Sequence, residues 1–406
     1  MKKDKKLYIT IATVFFSLIF QLFFIRYVSY SVDKEVYGNY VLLQTLVMAL
    51  SYVFLQIPSS SYSRFFNEAK NKVGFVNEFR SLLIYINILS LLVITIYGYF
   101  FTRFSVEILT YLFLYFVLLN NYSFNKEIFL LNLERKKYFK LQLLESSAKY
   151  LFPIVFYYWH QTLESLVIGI FLGYFISFVL LLFHLKGYPF KYQINTSNLK
   201  KYFKYAYPVV FTAVFSWGIS FSDRYFIDYF MKIQDVAIYA ILAQVAGFGG
   251  ILGQVYGMYV NPIVYKEYEK DKEKTFTLLN VYIRNLILVF VFVIFTVLML
   301  PVEFFTILIE KEVMSNYIHY YTFIILVLSA LFGVLQNAYA MYFVLEKKLH
   351  VISYAYMVAF SINIAGNFYI EDYGIIAASI STIVAFIVVN IVQYIYISKF
   401  IRIKIC

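Results

Sequence analysis

Apolar runs of about twenty residues recur along the whole chain, each closed by a short polar or basic stretch, and this pattern restricts the fold more than any single motif. A hydrocarbon layer about 30 Å thick takes roughly twenty helical residues to cross. Inside it a backbone N–H or C=O finds no water, so each crossing segment must satisfy its own backbone as a helix. Twelve such spans are predicted, at 7–27, 37–57, 80–101, 107–131, 141–159, 163–184, 204–226, 236–261, 280–301, 317–344, 350–370 and 374–397. The expected fold class is therefore all-α: a polytopic membrane protein with twelve transmembrane helices. Only 14% of the residues are charged, against about a quarter in soluble domains, and the segments between spans are too short for a soluble catalytic domain. The chain is expected not to be an enzyme.

The basic residues set the orientation, because positive loops resist translocation. With the N-terminus inside, cytoplasmic segments hold 28 of the 35 Lys and Arg and outer segments 6, with Lys149 left inside a span. An even span count with both termini in the cytoplasm follows, as does a first span that is retained rather than cleaved. The formal charge of +12 is then mainly topological, with attraction to anionic membrane lipids second, and nucleic acid is not an expected partner. One cysteine, Cys406, and four scattered histidines offer no metal-ligand spacing; no metal or cofactor is expected.

Two passages repeat. Phe24-Ile25-Arg26-Tyr27 at the end of the first span precedes Tyr40 and Gln44, and Ser222-Asp223-Arg224-Tyr225 at the end of the seventh precedes Tyr239 and Gln244. An offset of about two hundred residues, with six spans on each side, reads as parallel repeats, which typically enclose a substrate site and alternate its access by rocking. The predicted organisation is a first lobe over residues 1–185, a basic cytoplasmic connector over 186–203 and a second lobe over 204–406.

Several of these segments together resemble one family. Val32-Asp33-Lys34-Glu35-Val36-Tyr37-Gly38-Asn39-Tyr40 is similar to the acidic loop and Tyr-Gly-x-Tyr entry of Wzx-type polysaccharide flippases, in the wider group that includes multidrug (MATE) exporters. Ser59 to Phe65 with Arg64, Glu134-Arg135-Lys136-Lys137-Tyr138, and Tyr207-Pro208 ahead of Asp223-Arg224 fit the same order and spacing. The resemblance implies a two-lobed, MATE-like bundle of six helices per lobe. It implies transport of undecaprenyl-diphosphate-linked oligosaccharide repeat units from the cytoplasmic to the outer leaflet of a bacterial inner membrane, for O-antigen, capsule or a similar surface polymer. Polymerase and chain-length proteins of that pathway would be its partners. Multidrug relatives have more acidic residues in their cavities, and murein-precursor flippases, with fourteen spans, resemble the chain less.

A lipid-linked oligosaccharide asks for fixed positive charge at its diphosphate and for hydrogen-bonding groups at its sugars. Lys149, deep in a span, is the first candidate for the diphosphate, since an intramembrane charge is by default a functional site; the competing reading is an ion pair with Glu145 one turn earlier. Arg26, Arg224 and Arg64 end spans and serve either as guanidinium clamps on phosphate or as snorkelling interface residues. Asn121, Asn125, Gln244, Asn337, Asn363 and Asn367 are the cavity amides that sugars would use, or else join helix to helix. Glu145, Asp223 and Asp228 are the few carboxylates able to couple transport to H+ or Na+, although Asp223 also sits where it would neutralise Arg224. The glycines of span eight, among them Gly249 and Gly253, mark close packing or a hinge. The many tyrosines follow from composition and receive no individual role.

Overall fold

The computed structural model describes residues 2–66, 68–100, 103–132, 134–268 and 270–401. Cys406, Arg402 and Lys404 lie outside the described residues, as do the side chains of Lys2 to Lys6. Among the described residues there is no strand, and the chain makes twelve long helical passes. These are α1 (Lys2–Ser31), α2 (Lys34–Phe54), α3 (Lys72–Phe100), α4 (Val106–Leu131), α5 (Arg135–Trp159) and α6 (Leu163–Leu182). There follow α7 (Thr196–Phe221), α8 (Ile233–Ala246), α9 (Lys272–Met299), α10 (Tyr317–Leu345), α11 (Leu349–Asn367) and α12 (Ile375–Tyr396). Further helices extend three of them: the short Gln56–Phe65 after α2 and Asp223–Phe230 after α7, and the 21-residue Phe248–Tyr268 after α8, which itself has 14 residues. Nine of the passes are long and apolar enough to cross a membrane by themselves. The other three are α1, α5 and α7. Of these α5 carries Arg135, Lys136, Lys137, Lys140, Glu145 and Lys149, and α7 opens on Lys200, Lys201 and Lys204.

The polar residues between spans start the helices. Asp33, in the acidic loop singled out above, accepts from the Glu35 and Val36 N–H groups at 2.8 and 3.1 Å and so caps α2. Ser105, Thr162, Asp271 and Asn316 do the same for α4, α6, α9 and α10. Each occupies donors that a helix start leaves bare. Gly374, before α12, has φ +66°, a conformation other residues rarely adopt.

The chain divides into two compact units, Met1–Val210 and Phe211–Cys406. Within the first, α5 and α6 lie against each other with almost no side chain between them. A Cβ on Gly169 would come within 2.8 Å of the Pro153 Cα, and one on Gly173 within 2.6 Å of the Ala148 carbonyl oxygen. These glycines, four apart, form the small-residue seam on which membrane helices pack. In the second unit Gly249, Gly250 and Gly253 face Leu331 and Val334 of α10, the close-packing outcome for the glycines of span eight.

The segment after α6 is strapped to the first unit. Asn77 donates to the Pro189 carbonyl at 3.1 Å, Arg80 to the Tyr188 carbonyl at 2.7 Å and Gln193 N–H to Ser81 at 2.9 Å, while the Tyr85 and Tyr192 hydroxyls meet at 2.5 Å. The first turns of α7 follow it. Ser61 bonds the Tyr202 carbonyl, and Asn198 and the Tyr202 hydroxyl both donate to the buried Glu78 carboxylate. Around Tyr202 stands a cluster of rings: Tyr62 centres 4.1 Å from Phe124 and 5.3 Å from Phe79, and Phe79 4.8 Å from Tyr202. Here aromatic residues have a definite structural use as well as a compositional origin.

Gly173→Val places two methyl groups where only a backbone fits, and it is expected to destabilise the α5–α6 seam by about 1–3 kcal/mol. A lowered thermal midpoint of the detergent-solubilised protein, followed by fluorescence-detected size exclusion, is the expected outcome. An unchanged midpoint contradicts this packing.

Candidate functional site

Each unit contains its own buried polar cluster, built by helices whose outer faces are apolar. In the first unit the cluster lies between α4, α5 and α6. Lys126 of α4 is 6% exposed, and its ammonium pairs with the Glu145 carboxylate of α5 and donates to Gln142 at 2.7 Å. The Tyr174 hydroxyl of α6 reaches the second Glu145 oxygen at 3.5 Å, and the rings of Tyr122 and Tyr138 stand 5.7 and 5.4 Å from the ammonium. Glu145 is thus occupied from a neighbouring helix. The intrahelical pair with Lys149, the competing reading, does not form: Lys126 has taken the carboxylate.

Lys149 is half-buried and has no ion pair among the described residues; its ammonium lies 5.1 Å from the centre of the Tyr150 ring, interacts with the Tyr150 side chain and remains in the field of Glu145. Aromatic faces attract an ammonium without neutralising it. On the α1 side, Ser146 of the same helix meets Ser17 at 2.7 Å. Nearby amides are incompletely used: Gln44 receives the Tyr115 hydroxyl at 3.2 Å but its Nε2 has no partner, and both side-chain polar atoms of Asn120 are buried without one.

In the second unit the helix breaks at Ser222, and the short helix Asp223–Phe230 restarts with Asp223 and Arg224, both buried. One carboxylate oxygen of Asp223 accepts the Arg224 backbone N–H at 2.9 Å and the other the Tyr239 hydroxyl of α8 at 2.5 Å. The two side chains form no salt bridge, and the charge of Asp223 acts on the Arg224 guanidinium from the adjacent position. The Nε and Nη1 atoms of Arg224 are buried without a hydrogen-bond partner, over the Phe221 ring at 4.7 Å.

From Tyr239 the polar chain continues to Thr382 of α12, which Asn363 of α11 approaches at 3.5 Å. Asn363 also donates to Ser381 at 3.2 Å, and Ser381 to Asn367 at 2.5 Å. Asn363 and Asn367 are fully buried and share one helix face as their spacing predicts; within the unit they join α11 to α12.

The remaining predicted residues are placed elsewhere. Arg26 is exposed beside the Tyr30 ring, and Arg64 is exposed and paired with Glu68 at 2.7 Å. Asn121 donates to its own helix at the Val117 carbonyl, and Asn337, exposed, to the Gly333 carbonyl. Gln244 and Asp228 are half-buried, each with a polar partner. Asn125 does more: its side-chain oxygen holds the buried Arg80 guanidinium at 2.7 Å.

Lys126 and Arg80 are the residues that sequence reasoning missed, because both had been counted among the cytoplasmic loop charges. A signal was present for Lys126. The fourth span is long, and Asn120, Asn121, Tyr122, Asn125 and Lys126 place polar groups over its last turns.

The geometry thus defines a multi-pass, all-helical membrane protein with buried charge in both units, and the comparisons with known proteins agree with it. The MatE family model matches residues 208–369. No curated protein matches the sequence. Among solved structures the fold is similar to the lipid II flippase MurJ in its inward closed conformation, with a TM-score of 0.74 and 16% identity over 96% of this chain and 87% of that one. A multidrug resistance MATE family transporter of the MOP superfamily gives 0.69 in its inward-facing conformation, at 15% identity over 96% of both chains. The outward-facing conformation of a MATE family transporter gives 0.64, at 14% identity over 97% of this chain and 94% of that one. At these identities the likeness is one of fold: that of the MATE and MurJ transporters.

Removing one member of a buried ion pair leaves the other charge stranded. Lys126→Ala is expected to destabilise the first unit by about 3–5 kcal/mol, and Lys126→Met combined with Glu145→Gln to recover most of the loss. Thermal midpoints of the three proteins in one detergent test this; a single mutant as stable as the wild type removes the pair from the core.

Proposed function

We propose that this protein is a flippase that moves undecaprenyl-diphosphate-linked oligosaccharide repeat units from the cytoplasmic to the outer leaflet of a bacterial inner membrane, supplying a surface polysaccharide such as O-antigen or capsule. The observation that carries the reading is the pair of cations that no carboxylate binds directly, Lys149 in the first unit and Arg224 in the second. An intramembrane positive charge left without a direct counter-ion is expensive, and an anionic substrate is what would offset it. A diphosphate suits both groups: the guanidinium offers fixed, paired donors, and the ammonium is a compact charge that can release its ligand. Likeness in fold to a lipid II flippase supports a lipid-linked cargo.

In this reading residues 1–185 and 204–406 are six-helix lobes with 186–203 as the basic connector, and rocking alternates access to the substrate. Lys149 is the candidate for the diphosphate in the first unit and Arg224 in the second, with Arg26 and Arg64 as peripheral basic residues at span ends. The sugars meet amides, for which Asn120 and Gln44 have unused donors and acceptors. Asp223 is the carboxylate through which H+ or Na+ would couple, held by Tyr239 at the head of the polar chain to Asn367; Glu145 is committed to Lys126, and Asp228 is a lesser candidate. No chemistry is performed on the cargo. A multidrug antiporter of the same fold is the second reading, favoured by the MATE likeness and opposed by the small number of carboxylates within the spans.

Deleting the protein in its host tests the choice. Complete lipid-linked repeat units are expected to accumulate on the cytoplasmic face while surface glycan is lost. Units that reach the outer face unpolymerised would instead mark a polymerase-class protein, and unchanged glycan would send the search to small molecules. Lys149→Glu is expected to abolish export and Arg224→Ala to reduce it at least tenfold, with normal membrane accumulation of both variants. Full export by Lys149→Glu removes Lys149 from the mechanism.

A further inference from the structure

The strap after α6 and the ends of α3, α4 and α6 enclose a second site, apart from both polar clusters. It is a cleft of about 540 Å³ whose polar end is lined by Arg80, Lys186, Asn121 and Asn125 and whose other end is lined by Ile84, Phe178, Leu182 and Phe190. Of its eleven lining residues none is acidic. Arg80 is only 7% exposed and is fixed by Asn125, by Asn77 at 3.4 Å and by the Tyr188 carbonyl, all neutral acceptors that leave its charge uncompensated.

Tyr188 is anchored in turn, its hydroxyl receiving the Asn132 amide at 3.0 Å, and Lys72 donates to the Asn132 oxygen at 3.2 Å. The site is therefore preformed, and a ligand need not order it. The apolar lining is open to the bilayer: Ile84 is 40%, Leu182 50% and Phe190 59% exposed.

We propose that this cleft binds an anionic phospholipid of the cytoplasmic leaflet, with the phosphate between Arg80 and Lys186 and an acyl chain along Ile84, Phe178 and Leu182. The distribution of Lys and Arg puts the connector on the cytoplasmic side, the leaflet where anionic lipids meet basic pockets between helices. A zwitterionic lipid brings its own cation against two others, and free phosphate leaves the apolar half of the cleft empty. The binding is independent of the transported cargo, since neither Lys149 nor Arg224 lines the cleft.

The test is native mass spectrometry of the purified full chain titrated separately with phosphatidylglycerol, phosphatidylcholine, undecaprenyl phosphate and inorganic phosphate. A retained phosphatidylglycerol adduct is expected, bound at least fivefold more tightly than phosphatidylcholine. Lys186→Glu should weaken it about fivefold or more, whereas Lys270→Glu, the same charge change in an exposed loop of the second unit, leaves it unchanged. Equal thermal midpoints of the two variants establish that both fold. Equal affinity for the two phospholipids, equal weakening by Lys270→Glu, or occupation of the Lys186-dependent site by inorganic phosphate or preferentially by undecaprenyl phosphate would each overturn the assignment.

Discussion

A low-dielectric interior that cannot hydrate a charge governs the rest of this structure. Where twelve helices provide their own backbone hydrogen bonds, every buried polar side chain must find a partner on another helix or remain costly. Most do. Lys126 is answered by Glu145 and Gln142, Glu145 also by Tyr174, Glu78 by Asn198 and Tyr202, and Arg80 by Asn125, Asn77 and the Tyr188 carbonyl. These contacts pin α4 to α5, α3 to α7 and α3 to the strap. Against that background a minority of buried polar groups are incompletely answered, Arg224, Gln44, Asn120 and Gln393 among them.

The same helix carries the structural and the proposed functional charge. Ala148, Phe152 and Pro153 of α5 form the surface on which Gly169 and Gly173 settle, and Glu145 is turned to Lys126 and Tyr174. Lys149, one turn beyond Glu145, is consequently held on a rigid helix. A flexible side chain near a phosphate binds it through charge alone. One whose backbone is locked by a glycine seam and whose neighbouring carboxylate is already engaged presents that charge at a fixed position.

The architecture was legible because periodicity and charge report directly on membrane crossing: each of the twelve predicted spans has a long helix over it, and α5 and α7 were recognisable although their basic ends lower their hydropathy. The partners of buried residues were not legible in the same way. Spacing along one helix favoured Lys149 with Glu145, and adjacency favoured Asp223 with Arg224, yet both carboxylates are taken by residues from other helices, Lys126 and Tyr239. Local sequence records only i to i+4 neighbours, whereas helix packing selects across tens of residues. Asn363 and Asn367 were found because their shared face is itself a local property; Arg80 was hidden because a basic residue at a span end looks the same whether it snorkels to water or turns inward.

The two related passages show how one substitution changes what a repeat can do. In the first, Ile25 precedes Arg26, is fully buried, and the helix runs on unbroken to Ser31. In the second, Asp223 stands where Ile25 does, the helix breaks at Ser222, and the carboxylate captures the next backbone N–H together with the Tyr239 hydroxyl. A negative side chain is favoured at a helix start, so the aspartate both stabilises the restart and places Arg224 inward. The apolar isoleucine does neither, and Arg26 remains on the exposed side of its helix. Of the two passages, only the second therefore carries both a buried guanidinium and a carboxylate beside it.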